Sequence, residues 1–283
     1  MFHRLLARLG AREGGGEAGR ARLPELIDQP LSSYPELYEN LLDIRRYNRW
    51  LGGRRFLMRH LAPLLLAEPR RRWTILDLAT GSADIPQHLA KWGARRGLRL
   101  TCIGLDANAL VLRAARELLH GAARPTSSGL PAAGVRLLRA DARALPLRDG
   151  SVDVVLCSQA LHHFEDGEGR ALLRSLARLA RRAVIVEDLV RHWLPYRGVQ
   201  AIVRATTRNR LTRADGPASV RNSFSPAEWR RLAAALAAEG YVLHRHFPYR
   251  AVLTLRRPPP PMGFAAEPVG TASSSQAGEQ HAW

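Results

Sequence analysis

The chain has almost no lysine and almost no cysteine: Lys91 is its single lysine, and Cys102 and Cys157 are its two cysteines among 283 residues. Both cysteines sit in apolar, strand-like runs. That position argues against a disulfide framework or a cysteine-ligated metal site and makes a reducing cytoplasm the expected location. No stretch approaches the roughly 20 apolar residues that a membrane span requires. The opening residues MFHRLLARLGAREGGGEAGR lack an apolar core followed by a cleavage site, so a non-secreted protein is expected. Acids are scarce beside bases, and the formal net charge is +18. Such an excess would suit nucleic acid, another anionic partner or an anionic membrane surface. Yet nearly all of it is arginine scattered along helices and tails, in a chain equally rich in Ala, Leu and Gly, which leaves nucleic acid the weaker reading. What is abundant is apolar: 46% hydrophobic residues, ample for a sizeable core.

Residues 1–22 are rich in Arg and Gly and read as a flexible tail. From 23 to 68 the pattern is helical, with Leu37, Leu41, Ile44, Tyr47 and Leu51 at steps of three or four. Gly52 and Gly53 divide it into two helices, the second ending before Pro69, that would form a lid. From 69 to 256 short apolar runs alternate with longer amphipathic segments. The strand candidates are WTILDLA, RLTCIGLD, VRLLRAD, SVDVVLCSQ, RAVIVEDLV, YVLHRHF and RAVLTLR. Between them DIPQHLAKWGARRG, NALVLRAARELLHGAA, GRALLRSLARLARR and SPAEWRRLAAALAAEG read as helices, the last opened by a Ser225 cap with Pro226 and Glu228 behind it. This alternation predicts an α/β fold: a Rossmann-like, seven-stranded, mostly parallel sheet with helices on both faces. The last two strands, joined by FPY with no room for a helix, predict a closing antiparallel hairpin near one edge. Residues 191–222 fit neither rhythm and read as an insertion where ligand-facing loops of an open sheet gather. The tail 257–283, with PPPP and ASSSQAG, lacks the apolar content to pack and is expected to be disordered.

The turn after the first strand, in WTILDLATGSADIP, carries Ala79, Gly81 and Ala83 at alternate positions. Small residues there let a ligand approach the backbone. The second strand ends in Asp106, a carboxylate able to accept both hydroxyl hydrogens of a ribose, and the third in Asp141, positioned for an adenine amine. Each acid alone could be a helix cap. Three strand ends in register point instead to one nucleotide-like ligand. The glycines of a dinucleotide fingerprint are absent, which argues against nicotinamide binding.

ILDLATGSADIP resembles the first motif of class I S-adenosylmethionine-dependent methyltransferases. IGLDAN is similar to their second, and RADARALPLRDGSVDVVLCSQALHHF to the run through their third and fourth strands. The resemblance covers roughly Trp73 to Arg256, and DLATGSAD is closest to the small-molecule and quinone branch. It implies S-adenosylmethionine as cofactor, with Asp77 near the methionine amino group and Gly81 giving backbone access to it. Asp106 would hold the ribose and Asp141 the adenine amine, with Ala142 beside the ring. Asp84, Ser158 and Gln159 would line the rest. Two of the family's three glycines are Ala79 and Ala83 here, which suits close approach if their φ is negative.

The resemblance implies that the enzyme chiefly aligns a nucleophile with the cofactor's methyl group and excludes water. A hydroxyl nucleophile also needs its proton removed. His162 and His163, just past the fourth strand, are the candidate bases, with purely positional catalysis the alternative. Glu165, Asp166, Glu187 and Asp188 read as solvated loop acids, so no metal is expected. His60, His88, His244 and His246 show no ligand spacing. Tyr34, Tyr38, Tyr47, Trp50, Trp193 and Tyr196, with Phe224, offer an aromatic set for a flat or lipophilic small molecule. The expected reaction is methylation of a hydroxyl or activated carbon of a small aromatic, polyketide-like or quinone-like metabolite. RNA or protein methylation and a catalytically silent cofactor-binding regulator are the alternatives.

Overall fold

The computed structural model describes residues 23–29, 33–121 and 135–258. The expected tails, apart from Arg257 and Pro258, lie outside them, as do Ala122 and Ala123 at one expected helix end. Arg257 is tied down, its N–H donating to the Arg182 carbonyl at 2.8 Å.

A short 3₁₀ turn at Leu26–Asp28 precedes helix α1 (Tyr34–Trp50). Ser33 caps α1 by accepting the Glu36 N–H, with a proline in the first turn. Gly52, at φ 85, breaks the helix before α2 (Gly53–Ala67). On α2 Leu57, Leu61 and Leu65, at steps of four, are buried, each worth about 1.5–3 kcal/mol of apolar burial. The core follows as β1 (Arg72–Leu78), α3 (Asp84–Ala94), β2 (Arg99–Asp106), α4 (Ala109–Gly121), β3 (Val135–Arg139), β4 (Val152–Ser158), α5 (Asp166–Leu179) and β5 (Ala180–Leu189). Then come α6 (Trp193–Thr206), α7 (Arg210–Asn222), α8 (Pro226–Ala235), β6 (Tyr241–His246) and β7 (Arg250–Arg256).

The seven strands order as β3-β2-β1-β4-β5-β7-β6. β7 alone runs against the others, pairing antiparallel with both β5 and β6. The fold expected from the sequence is therefore found, hairpin included. Side chains alternate between two cores, as a doubly covered sheet demands. Ile75, Val154, Leu156 and Ile185 pack with α2 and α3, while Leu76, Val155, Cys157 and Val186 pack with α5 and α8. Helix α5 starts three residues earlier than its apolar pattern suggests, because Glu165 and Glu168 form a capping box. Ala180 and Arg181, expected in that helix, belong to β5. Arg182 there donates to Glu68 at 3.0 Å.

The chain winds outward from β1 to β3 and then returns to lay β4 on the other side of β1. At such a reversal the loops leave in opposite directions and open a crevice above the strand ends. The insertion forms α6 and α7, stitched to α1 over this crevice by polar contacts. Thr212 Oγ1 donates to Asp43 at 3.0 Å, Asn209 Nδ2 to the Glu36 carbonyl at 2.8 Å, and Tyr47 and Thr206 hydroxyls meet at 2.7 Å. Among the described residues no helix is long and apolar enough to cross a membrane.

Candidate active site

The crevice is a cavity of about 750 Å³, and it has two ends of different character. At one, four parallel strands deliver acids and small residues. Asp77, next to last in β1, is buried, with the Thr80 hydroxyl donating to it at 2.7 Å. Burial pushes its carboxyl up to about 8, aided by repulsion from Asp84 and Asp106 and opposed by the Thr80 hydrogen bond. Asp106, at the end of β2, accepts the N–H groups of Gly81 at 3.1 Å and Asn108 at 3.0 Å. Asp84 opens α3 buried, accepting from Asn48 and Ser82 at 3.2 Å, with the Arg54 guanidinium 3.7 Å away. Burial raises both these carboxyls too, against their donors. Asp141 is exposed and accepts the Arg143 N–H at 2.8 Å. Past β4, Ser158 donates to Glu187 at 2.8 Å and Gln159 to Asn48 at 2.6 Å. Of the ten residues that the resemblance assigns to the cofactor, all except Ala83 line the cavity.

The turn between Asp77 and α3 corrects one expectation. Ala79 and Ala83 have φ of 52 and 53, as does Gly81 at 52, so both alanines occupy the left-handed region that favours glycine. The turn must reverse within a few residues, and it does so by placing every second residue there. Each alanine then carries a Cβ penalty of about 1–2 kcal/mol. Ala79 is exposed, so Ala79→Gly is expected to raise stability by up to about 1 kcal/mol after its extra chain entropy, read in urea melts. Ala83 packs its methyl against Ala115 and Leu119, and Ala83→Gly should gain nothing. Close approach of another kind occurs at Gly104, where a Cβ would lie 2.7 Å from the Thr80 hydroxyl that holds Asp77.

The second end is built around two histidines. His162 is buried, and its Nδ1 faces both oxygens of the fully buried Asp188 at 2.9 and 3.0 Å. Asp188 also accepts the His162 backbone N–H at 3.1 Å. Burial alone would raise the Asp188 carboxyl; the adjoining His162 ring and these hydrogen bonds outweigh it and hold the group below its usual value. With its proton fixed on Nδ1, His162 turns Nε2 toward Glu25, whose Oε1 is 3.6 Å away. His163 Nδ1 meets Asp28 Oδ2 at 3.0 Å, and its Nε2 lies 4.0 Å from Glu25 Oε2. Burial lowers the His163 pKa, but Asp28 and Glu25 outweigh it and raise the group overall. Glu25 is itself buried and tied to α7 by Ser219 at 2.9 Å and Asn222 at 3.0 Å. Nearby Asp215 accepts the Leu26 and Ile27 N–H groups at 2.7 and 3.0 Å, and burial lifts its carboxyl to about 6.

The acids past β4 and β5 therefore differ from the expected solvated set. Glu187 and Asp188 are wholly buried on β5, Glu187 paired with Arg250 at 2.7 Å, while Glu165 and Asp166 are exposed at the start of α5. The aromatic set also disperses. Tyr47 lines the cavity, but Tyr34 and Tyr38 pack in the α1–α4 core and Trp50 is 61% exposed on the outer surface. Trp193 lies beside His192, Tyr196 is half-buried away from the cavity lining, and Phe224 fills the core against Trp229. For Tyr34 and Tyr38 helical spacing selects the face that meets another helix, and here that face is core. Aliphatic side chains, including Ile27, Ile44, Ile202 and Val203, line the cavity instead. Sequence reading missed Glu25, Asp28, Asn48 and Asp215 altogether. His60, His244 and His246 do converge, with ring centroids 4.5 and 5.2 Å apart, but none of them lines the cavity.

Residues 75–183 match the family model of a methyltransferase domain. The chain is 28% identical over 173 residues to the uncharacterized methyltransferase YcgJ of Bacillus subtilis (strain 168), a match that covers 60% of this chain and 58% of that protein. It thus spans less than two thirds of that relative's length. Among solved structures, the plantazolicin methyltransferase BpumL in complex with SAH is similar at TM-score 0.53 and 12% identity, over 80% of this chain and 95% of that one. The magnesium protoporphyrin IX methyltransferase of Synechocystis PCC 6803 with bound SAH aligns at TM-score 0.49 and 18% identity, over 74% of this chain and 84% of that one.

Proposed function

We propose that this chain, which belongs by its domain match and strand order to the class I S-adenosylmethionine-dependent methyltransferases, methylates an oxygen nucleophile of a small lipophilic molecule held in its cavity. The cavity supports this reading most directly, because the strand-end acids and the Glu25–His162–His163 group open into one roofed space.

The acid end fits the cofactor on physical grounds. Asp77, Asp84 and Asp106 are three crowded carboxyls whose pKa values burial raises, and a cationic ligand relieves that crowding. Asp77 would meet the methionine ammonium, Gly81 its backbone-facing side, Asp106 the ribose, and Asp141 with Ala142 the adenine. Ser158, Gln159 and Asp84 would wall the remainder, and Ala79 would border the turn. S-Adenosylmethionine supplies, when bound, an electrophilic methyl group on a sulfonium. The chain's task is then to orient an acceptor, exclude water and hold the acceptor's developing negative charge. The roof of α1, α6 and α7 provides the exclusion. His162 and His163 are proposed to act on the acceptor hydroxyl, and the aliphatic lining to receive its carbon skeleton, with Tyr47 the aromatic contact.

A roofed cavity disfavours polymer substrates, although the +18 charge keeps RNA or protein methylation as the competing reading. Incubation with methyl-labelled S-adenosylmethionine and separate metabolite, RNA and protein pools decides between them. Label is expected in an organic-soluble metabolite fraction. Label in RNA or protein overturns the substrate class, and binding without any transfer points to a silent regulator. By calorimetry Asp106→Asn should weaken the cofactor on the order of 10- to 100-fold, as expected for lost hydrogen bonds to a charged group.

A further inference from the structure

The acceptor end has a feature that neither the fold nor the domain match accounts for. A carboxylate oxygen of Glu25 and one ring nitrogen each of His162 and His163 lie within 4.8 Å of one another. The two imidazoles come from the loop after β4, and the carboxylate from the segment before α1. Each donor is held from behind by a separate partner. Asp188 takes the Nδ1 proton of His162, Asp28 faces Nδ1 of His163 at 3.0 Å, and Ser219 and Asn222 donate to Glu25. The Nε2 atoms of His162 and His163 lie 3.6 and 4.0 Å from the Glu25 carboxylate oxygens. Ligands of protein-bound metals have this construction, with a carboxylate behind each imidazole fixing its tautomer.

A second, independent observation comes from His162. Its side chain is 2% exposed and its Nε2 has no hydrogen-bond partner, Glu25 Oε1 lying 3.6 Å away. An unsatisfied buried polar atom costs about 1–3 kcal/mol. Nε2 carries a lone pair, so a proton donor or a metal ion would satisfy it.

We infer that Glu25, His162 and His163 form a two-histidine, one-carboxylate site for a divalent transition metal at the acceptor end of the cavity. Ions of this class bind imidazole and carboxylate at about 2.0–2.2 Å, which sets neighbouring donors about 3.0–3.5 Å apart. The three donors need to draw together by on the order of 1 Å, within the range of side-chain rotation. Imidazole donors favour zinc, copper, iron, cobalt or nickel over magnesium. All three residues line the cavity, so the remaining coordination positions face the acceptor.

The site itself stands on this geometry, whereas its role rests on the reading of the chain as a methyltransferase. An acceptor hydroxyl that replaces a metal-bound water forms a metal–oxygen bond and loses its proton to solvent near neutral pH. The resulting oxyanion is the nucleophile, and His162 and His163 act on it through the metal.

Untagged full-length protein, stripped with chelator, is titrated with Co²⁺ by visible spectroscopy and with Zn²⁺ by calorimetry. The expected result is one ion per chain, with affinity reduced at least about 10-fold in Glu25→Gln and in His163→Gln. Circular dichroism and cofactor calorimetry check that both variants remain folded. His246→Asn should leave binding unchanged, since it removes only the separate His60–His246 contact at 2.9 Å. Absence of Co²⁺ binding, or binding lost in His246→Asn and kept in the other two, overturns the site. Cofactor binding without metal leaves the methyltransferase reading standing; metal binding without cofactor leaves the site and removes its role.

Discussion

Asp77→Asn is expected to raise the melting temperature of the ligand-free protein by several degrees and to weaken cofactor binding on the order of 100-fold. The two effects have one cause. Asp77 is 3% exposed, and its sole side-chain hydrogen-bond donor among the described residues is the Thr80 hydroxyl. Burial and the nearby Asp84 and Asp106 carboxyls raise its pKa from 3.8 to about 8. The folded chain therefore holds a proton that the unfolded chain has lost between those values. By linkage, unfolding free energy falls as pH rises through that window, with the loss complete above the folded value. Asparagine removes the titrating group, so the slope of melting temperature against pH between 5 and 8 should flatten. A saturating cation in the cavity should flatten it in the wild type too, because the ammonium replaces the missing counter-charge and lowers the Asp77 pKa. Binding affinity in the wild type should correspondingly rise with pH over the same range. Thermal melts at a series of pH values, with and without S-adenosylmethionine, measure both. A wild-type slope that is flat without ligand would remove the argument.

Asp77 was legible in the sequence because strand ends are. A run of alternating apolar residues that stops at an acid fixes both the strand and its last side chain, and the βα rhythm then fixes which edge of the sheet receives it. Ser158 and Gln159 came only with the family resemblance, and Gly81 with the small-residue turn; strand-end reasoning also reached Asp106 and Asp141. It failed for Glu25 and Asp28, since their partners are His162 and His163; Asp28 meets a residue 135 positions away, through a contact no local pattern encodes. It misjudged Glu187 and Asp188 for a related reason. Adjacent acids usually mark a solvated loop, and it is Arg250 with Ser158 for Glu187, and His162 for Asp188, brought in from other elements, that make their burial tolerable. The aromatics failed differently, because helical spacing specifies a face but not what the face meets. The backbone of Ala79 and Ala83 was out of reach for a third reason: alanine tolerates the left-handed region at a cost, and the sequence does not record that cost.

Asp188→Asn carries the strongest expected effect on catalysis, a loss of turnover on the order of 10²- to 10⁴-fold on whichever acceptor takes up label. The argument turns on one proton. Asp188 is an acceptor toward His162 Nδ1 and toward the His162 backbone N–H, and this places the ring proton on Nδ1 and the lone pair on Nε2. An asparagine amide offers a donor in the same place. It would favour the opposite tautomer, putting N–H on Nε2, toward Glu25 and the cavity. A base at Nε2 and a metal ligand at Nε2 both require the lone pair, so either role is lost. Cofactor affinity should stay within about twofold, because Asp188 lies outside the acid end. Stability also responds, with a sign that can be checked. The Asp188 carboxyl is held below its ordinary 3.8 by His162, so its contribution is complete above that value and disappears as pH falls through the lower folded value. The variant should therefore lose part of the wild type's stability at neutral pH and converge toward it in acid. His162→Gln is the companion variant: it removes the ring and should match Asp188→Asn in turnover, since the two side chains act as one unit. Near-normal turnover in Asp188→Asn with an inactive His162→Gln would mean that the ring serves by shape alone. Two active variants would mean that the acceptor is ionised elsewhere in the cavity.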